Sequence, residues 1–224
     1  MSRPRDVGIG SSLQRLAQVV REWGVRRLWF SILDSMGLYR RLVLFEVPLE
    51  DPPPSPAPPG PLEVRLLKEL DLEDYREFRP DADLEEIRSR LQAGHQCFAA
   101  WQQGRLVSAM WAARGCTRID YLKRDMDLAP DEAYAYDSHT VPELRGMALA
   151  SVRADMMRRT LRETGVRRLL GTVMPENRSG LRRAEKRQHR RIGTIGYWKL
   201  GPWRRDFTRP AGKPEPVTEP APNI

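Results

Sequence analysis

Near the start of the chain, apolar residues recur at helical spacing, at Leu13, Leu16, Val19, Val20, Trp23 and Leu28, with Arg15, Arg21, Arg26 and Arg27 between them. That period predicts a basic amphipathic helix. Alternation replaces it over 39–47, where a strand is expected. Residues 48–61 are too rich in proline to supply the amide donors of a helix or a central strand, and they read as an extended linker. From Leu62 the pattern changes repeatedly. A strand is expected over 62–67, and two acidic helices over 71–78 and 81–91, each with Asp at its start. Strands follow over 96–102 and 105–113, joined by the tight-turn pair Gln103-Gly104, with a further run over 117–122 and a strand over 132–141. A helix over 147–163, with Ala148, Val152, Met156 and Leu161 on or near one face, precedes a strand over 168–173. A helix over 177–188 and a last strand over 191–200 complete the series. Proline returns after Thr208 and marks a tail expected to be mobile.

Hairpins first and a strand-helix-strand unit later imply an α/β (α+β) mixed sheet with helices on its faces. The expected organisation is a basic helix and strand arm over 1–47, a linker over 48–61, one main domain over 62–207 and a tail over 208–224. Composition narrows the class. In 224 residues, 40% are hydrophobic and 30% charged, which suits a packed core rather than wholesale disorder. The opening Met1-Ser-Arg-Pro-Arg-Asp lacks an apolar export signal, and no apolar run is long enough to span a bilayer, so a cytoplasmic protein is expected. Two cysteines and three histidines argue against a disulfide framework and against a metal site. The net charge of +8 is carried mainly by Arg and fits nucleic acid, acidic lipid or phosphate partners, or only a coding bias toward Arg, and charge alone does not choose among them. The N-terminal arm is read either as packing on the main domain or as a peripheral membrane contact.

Chemistry concentrates where the strand over 132–141 turns into the helix over 147–163. A helix N-terminus offers free amides and the positive end of its dipole, so small residues there let a phosphate approach the main chain. The loop Arg145-Gly-Met-Ala-Leu-Ala150 meets that description. It resembles the pyrophosphate loop, R/Q-x-x-G-x-G/A, of the GNAT superfamily of acyl-CoA-dependent N-acyltransferases. A second stretch, Asn177-Arg-Ser-Gly180 followed by Glu185-Lys-Arg-Gln-His189, is similar to the family's next motif, one strand further on. The resemblance covers about 62–201 and is strongest after Asp137.

That resemblance implies a sheet splayed open between its fourth and fifth strands, with acetyl-CoA as co-substrate and no metal. Thr140 and Val141 would pair with the pantetheine arm, and the amides of Gly146, Met147, Ala148, Leu149 and Ala150 with Arg145 would receive the pyrophosphate. Asn177 would contact the pantetheine arm, or serve only as an N-cap. It also implies transfer of an acetyl group to a primary amine of a small molecule or peptide. Three departures bear on this. Ala148 replaces the first loop glycine, an exchange expected to be tolerated on a helical backbone. Gln188-His189 replaces Gly-Phe, so a different helix exit is expected. Ala184 stands where many members carry the tyrosine that protonates the leaving thiolate.

A lysine-like amine has a pKa near 10.4, so a base helps it react at neutral pH. Strand alternation places Asp137 and His139 on one face, opposite Glu132, Tyr134, Tyr136 and Ser138, and makes Asp137 and His139 the candidate catalytic bases. A backbone amide near Val141 is expected to meet the oxyanion, with Tyr136 or Tyr197 as substitute acids. Two other classes remain open: a non-catalytic acyl-CoA-binding module, and a nucleic-acid-binding protein using the arginines of 182–191.

Overall fold

The computed structural model describes residues 30, 32–49, 57, 58 and 60–211. The helix expected over 13–28, most of the linker and the tail after 211 lie outside the described residues. The chain divides into a smaller unit, residues 1–41 with 195–208, and a larger one, residues 42–194 with 209–224.

In the larger unit, β2 (Leu62–Leu66), β3 (Gln96–Gln102), β4 (Arg105–Ala113) and β7 (Glu132–Thr140) form an antiparallel run. The β3-β4 turn takes left-handed φ at both Gln103 (52°) and Gly104 (74°), the geometry that suits a two-residue hairpin. A separate two-stranded ribbon joins β5 (Cys116–Ile119) to β6 (Arg124–Asp127). Beyond β7, β8 (Arg168–Val173) runs parallel to it and pairs on its other side with residues 43–47 of β1 (Tyr39–Val47), antiparallel. The strand expected in an N-terminal arm is therefore an internal strand. β9 (Arg190–Leu200) lies beside β1, and β10 (Trp203–Pro210) beside β9 at the sheet's edge. β10 was not anticipated: it extends to Pro210, past the expected start of the tail at Thr208.

Helices cover both faces. α1 (Leu72–Phe78) and α2 (Leu84–Gln92) bury Tyr75, Phe78 and Ile87 against Cys97, Trp101, Ala109 and Trp111. Asp83 caps α2 by accepting from the Glu85 amide (2.9 Å). α3 (Leu149–Glu163) packs Met157 and Leu161 on the opposite side, against Phe98, Ala112, Ala133 and Leu169. Alternate residues of β3 and β4 thus serve the two cores. The buried face of α3 differs from the expected one. It comprises Leu149, Arg153, Ala154, Met157, Arg158 and Leu161, while Val152 and Met156 are only partly buried and Ala148 precedes the helix.

β7 and β8 pair only from Glu132↔Arg168 to Ala135↔Gly171, although β7 continues to Thr140. Their ends separate beyond that point, so this is the splayed mixed sheet that the motif resemblance implies. α4 (Arg178–Lys186) follows β8, and Asn177 caps it by accepting from the Gly180 amide (2.8 Å).

Candidate functional site

The opening between β7 and β8 leads to a cleft of about 910 Å³ in the larger unit. Its floor is apolar, with Val47, Met110, Ala135, Met157 and Leu169; its rim is formed by the loop 144–150 and by α4. Thr140, Arg145, Gly146, Met147, Ala148, Leu149, Ala150, Asn177 and His139 all line it, so the cleft gathers nearly every candidate residue. Val141 and Asp137 do not. Val141 packs against the core under α1 and α2, and its own amide donates to Val107 O (3.0 Å).

The loop is shaped by a short 3₁₀ turn at Pro142–Leu144, then Arg145 in extended backbone, then two left-handed residues, Gly146 (φ 85°) and Ala148 (φ 61°, ψ −6°). Ala148 is therefore not helical, and the reason for expecting its side chain to be tolerated does not hold. Left-handed backbone is where glycine is favoured and where a Cβ meets resistance. Ala148 O accepts from the amides of Ser151 (2.8 Å) and Val152 (3.1 Å), so the helix's own ladder begins there and leaves the Leu149 and Ala150 amides at the cleft. Arg145 Nε donates to Thr140 O (3.2 Å), which ties the loop back to the end of β7.

Among the described residues, six cations line the cleft, Arg145, Arg153, Arg158, Arg183, Lys186 and Arg187, and no carboxylate does. Arg153 is the least expected. It is 1% exposed and donates to Ala109 O (2.6 Å), His139 O (3.0 Å), Ser138 Oγ (2.8 Å) and Ser108 Oγ, all uncharged acceptors. Burial pushes its pKa down to about 10, with the positive charges of Arg183 and Arg187 adding to the effect. Burial, then Arg158 and Arg183, lower Arg187 in the same sense, with Asp155 opposing. Sequence reading missed Arg153 and Arg158 because arginine on a helix is ordinarily taken for an outer-face residue. Asn177 spends its Oδ1 on the Gly180 amide and on Ser179 Oγ (2.8 Å), so the capping role is present and only its Nδ2 is left for a ligand.

The partition of β7 into faces needs correction. The β4-β7 register shifts between Ala109↔His139 and Trp111↔Tyr136, leaving one extra residue in β7, and Asp137 takes φ 47°. This is a β-bulge, and it resets the alternation. Tyr136, Asp137 and His139 all meet partners on the side of α1 and α2, while Ser138 turns to Arg153. Asp137 accepts from Arg79 Nη1 (2.6 Å) and Arg90 Nη1 (2.8 Å). Burial alone would raise its pKa, but the hydrogen bonds and charges of Arg90 and Arg79 outweigh that and hold it below the usual carboxylate range. A carboxylate so paired is a poor proton acceptor. Its geometry suits a positioning role.

His139 is better placed for a base. It lines the cleft and stacks edge-on against Phe78 (centroids 5.2 Å apart). Burial, then Arg79 and Arg145, lower its pKa, so the imidazole is neutral at pH 7. The substitute acids fare less well. Tyr136 shares a hydrogen bond with His95 Nδ1 (2.6 Å), and burial raises its pKa further. Tyr197 belongs to the smaller unit, where Arg204 covers its ring at 4.3 Å. Ala184 is 2% exposed and packs with Val43 and Phe45, away from the cleft.

The exit of α4 also differs from expectation. Gln188 adopts φ 56°, and the His189 amide donates to Ala184 O (2.9 Å), the left-handed ending that glycine usually provides. His189 fills the aromatic position, its ring 6.5 Å from that of Phe45. Its Nε2 is buried without a partner, and burial together with Arg187 and Arg158 lowers its pKa to about 4.

No protein-family model matches the sequence, and no curated protein does. Among solved structures, the chain is similar to a putative acetyltransferase from the GNAT family of Novosphingobium aromaticivorans, at 19% identity and a TM-score of 0.47. That match covers 70% of this chain and 62% of the other, so the chain spans less than two thirds of that structure's length. It is similar also to the ribosomal-protein-S18-alanine N-acetyltransferase of Escherichia coli (15% identity, TM-score 0.45, 56% of this chain and 75% of the other). An aminoglycoside N-acetyltransferase solved in complex with CoA matches at 19% identity and TM-score 0.46, over 56% of this chain and 89% of the other.

Proposed function

We propose that the chain is a cytoplasmic N-acyltransferase that takes an acyl-CoA, acetyl-CoA first among them, and passes the acyl group to a primary amine of a small molecule or peptide. The observation that carries this reading is the cleft itself. Among the described residues, six cations and no carboxylate surround an apolar floor, and the wall includes a loop whose sequence resembles a pyrophosphate-binding motif at a helix N-terminus. A polyanion with a long, largely apolar arm fits both parts. The thioester would supply an activated acyl group and a thiol leaving group. Of this chain's own residues, Arg145 and the amides of Gly146, Leu149 and Ala150 would hold phosphate, and the end of β7 near Thr140 together with Asn177 Nδ2 would position the arm. His139, neutral at pH 7, would take the amine's proton. Asp137, fixed between Arg79 and Arg90, would hold the bulge that presents His139.

Two observations favour a non-catalytic acyl-CoA-binding module instead: Asp137 is already paired and Ala184 is turned into the core. Calorimetry with acetyl-CoA, followed by thiol release over a panel of amines, separates the two readings. Binding with turnover supports the enzyme, binding without turnover supports the module, and no binding at high micromolar CoA removes both.

A further inference from the structure

The loop and cleft leave the chain's surplus charge unexplained, because it lies elsewhere. The stretches of sequence in the smaller unit carry eleven Lys and Arg against four Asp and Glu, +7 of the total +8. Five of the eight large hydrophobic side chains exposed among the described residues belong to the same unit: Ile32, Met36, Trp198, Leu200 and Trp203.

Their placement is not scattered. Leu200 ends β9 and Trp203 begins β10, so they flank the turn at Gly201-Pro202 and stand 79% and 81% exposed at one hairpin tip. Lys199 N donates to Leu38 O (2.7 Å), while a carbon added at Gly196 would meet Arg40 O. β1 and β9 therefore run antiparallel here, and Met36, 64% exposed in the turn before β1, comes to the same end as Leu200 and Trp203. Exposed Lys199 and Arg205 border them, beside Arg204, which is paired with Asp206 (2.8 Å). Behind the tip the unit is rigidly packed by rings, with Tyr39 4.0 Å from Trp198 and 6.0 Å from Phe207.

We propose that this tip is a membrane-docking surface for anionic lipid, with Met36, Leu200 and Trp203 entering the headgroup region and the surrounding cations meeting lipid phosphate and carboxylate. The chemistry chooses the occupant. The described residues of the unit carry five Lys and Arg against Asp34 and Asp206, a surplus that repels a second copy, and of the three tip side chains only Trp203 has a ring to stack, Leu200 and Met36 having none. Tryptophan and leucine ringed by basic residues form the pairing that partitions to a lipid interface, and basic side chains near a membrane are attracted by anionic headgroups. The hydrophobic side chains set depth and the charge sets lipid preference.

The test is sedimentation of the full chain with vesicles of phosphatidylcholine containing 0, 20 or 40% phosphatidylserine. Binding is expected to rise with phosphatidylserine and to fall when salt goes from 50 to 500 mM. The pair Leu200→Ser and Trp203→Ser is expected to weaken binding at least tenfold while circular dichroism melting stays within a few degrees of the parent. If that pair fails to fold, Lys199→Glu with Arg205→Glu serves, with the same loss expected on 40% phosphatidylserine. Equal binding to neutral and anionic vesicles, no binding to either, or binding unaltered in the variants overturns the proposal. So does vesicle-free self-association in the centrifuge, or binding to single-stranded nucleic acid, that depends on Trp203 while lipid binding does not.

Discussion

At φ 61° and ψ −6°, Ala148 occupies backbone that costs an L-residue about 1–2 kcal/mol, in the loop proposed to receive phosphate. Ala148→Gly removes that strain but adds freedom to the unfolded chain, worth about 0.4–1 kcal/mol in the other direction. The net expectation is a gain of roughly 0.5–1 kcal/mol, read as a higher denaturation midpoint in urea with an unchanged slope. Asp137 makes a second test at this scale. Its folded pKa is depressed, so the stability it contributes is present above the unfolded carboxylate's pKa and is lost as pH falls through the lower folded value. Asp137→Asn leaves Arg79 and Arg90 without their shared counter-charge and is expected to cost about 2–4 kcal/mol at pH 7. It should also flatten the acid limb of the stability profile. His139→Ala, by contrast, should leave stability nearly unchanged and lower turnover by about 10²-fold. In the parent, turnover should hold down to pH values somewhat below 6.5 before falling, because the imidazole's pKa is lowered and it remains a free base there.

Elements show where sequence pattern stops reporting. The strands and helices that build the sheet follow simple periods and were legible, as was the loop at residues 141–150, because Gly and Ala at a strand-helix junction leave a local signature. The bulge in β7 was not. One inserted residue in Tyr136-Asp137-Ser138 changes which face every later side chain takes, yet the sequence still alternates polar and apolar on either side of it. β10 was missed for another reason. Trp203-Arg-Arg-Asp-Phe-Thr-Arg-Pro210 is an edge strand with most side chains exposed, so it has no buried face to impose a pattern. α3 hid its core face because Arg153 and Arg158 occupy it. The end of α4 carries a prediction. His189 is neutral in the fold and protonated in the unfolded chain between about pH 4 and 6.5, so the unfolded state binds more protons there and stability falls as pH drops through that window. His189→Phe keeps an aromatic ring beside Phe45 and removes both the titration and the unpartnered Nε2. Its melting temperature should exceed the parent's by more at pH 5 than at pH 8.

Across the whole molecule, net charge and functional charge turn out to be different quantities. The sequence of the larger unit carries 27 Lys and Arg against 26 Asp and Glu, nearly balanced, yet among the described residues its cleft collects six cations and no carboxylate. Much of the balance lies outside the cleft, in pairs such as Arg65 with Asp71 and Arg79 with Asp137; within it Arg158 is paired with Asp155, while Arg153, Arg183 and Arg187 repel one another in the empty protein. A bound polyanion relieves that repulsion, which ties stability to occupancy. CoA at a hundred times its dissociation constant should stabilise the fold by about 2.7 kcal/mol. For a unit of this size that is a rise in melting temperature of roughly 5–10 °C, at about 2–4 °C per kcal/mol. Raising salt from 50 to 500 mM should shrink the rise by weakening binding, since exposed charges are screened. Arg183→Gln sharpens the test, because Arg183 lines the cleft and depresses its neighbours Arg153 and Arg187. Without ligand, its melting temperature should equal or exceed the parent's, while the rise caused by CoA at low salt should be smaller. A variant that melts earlier without ligand and keeps the full CoA response would place Arg183 in the framework of the fold and leave phosphate to the loop alone.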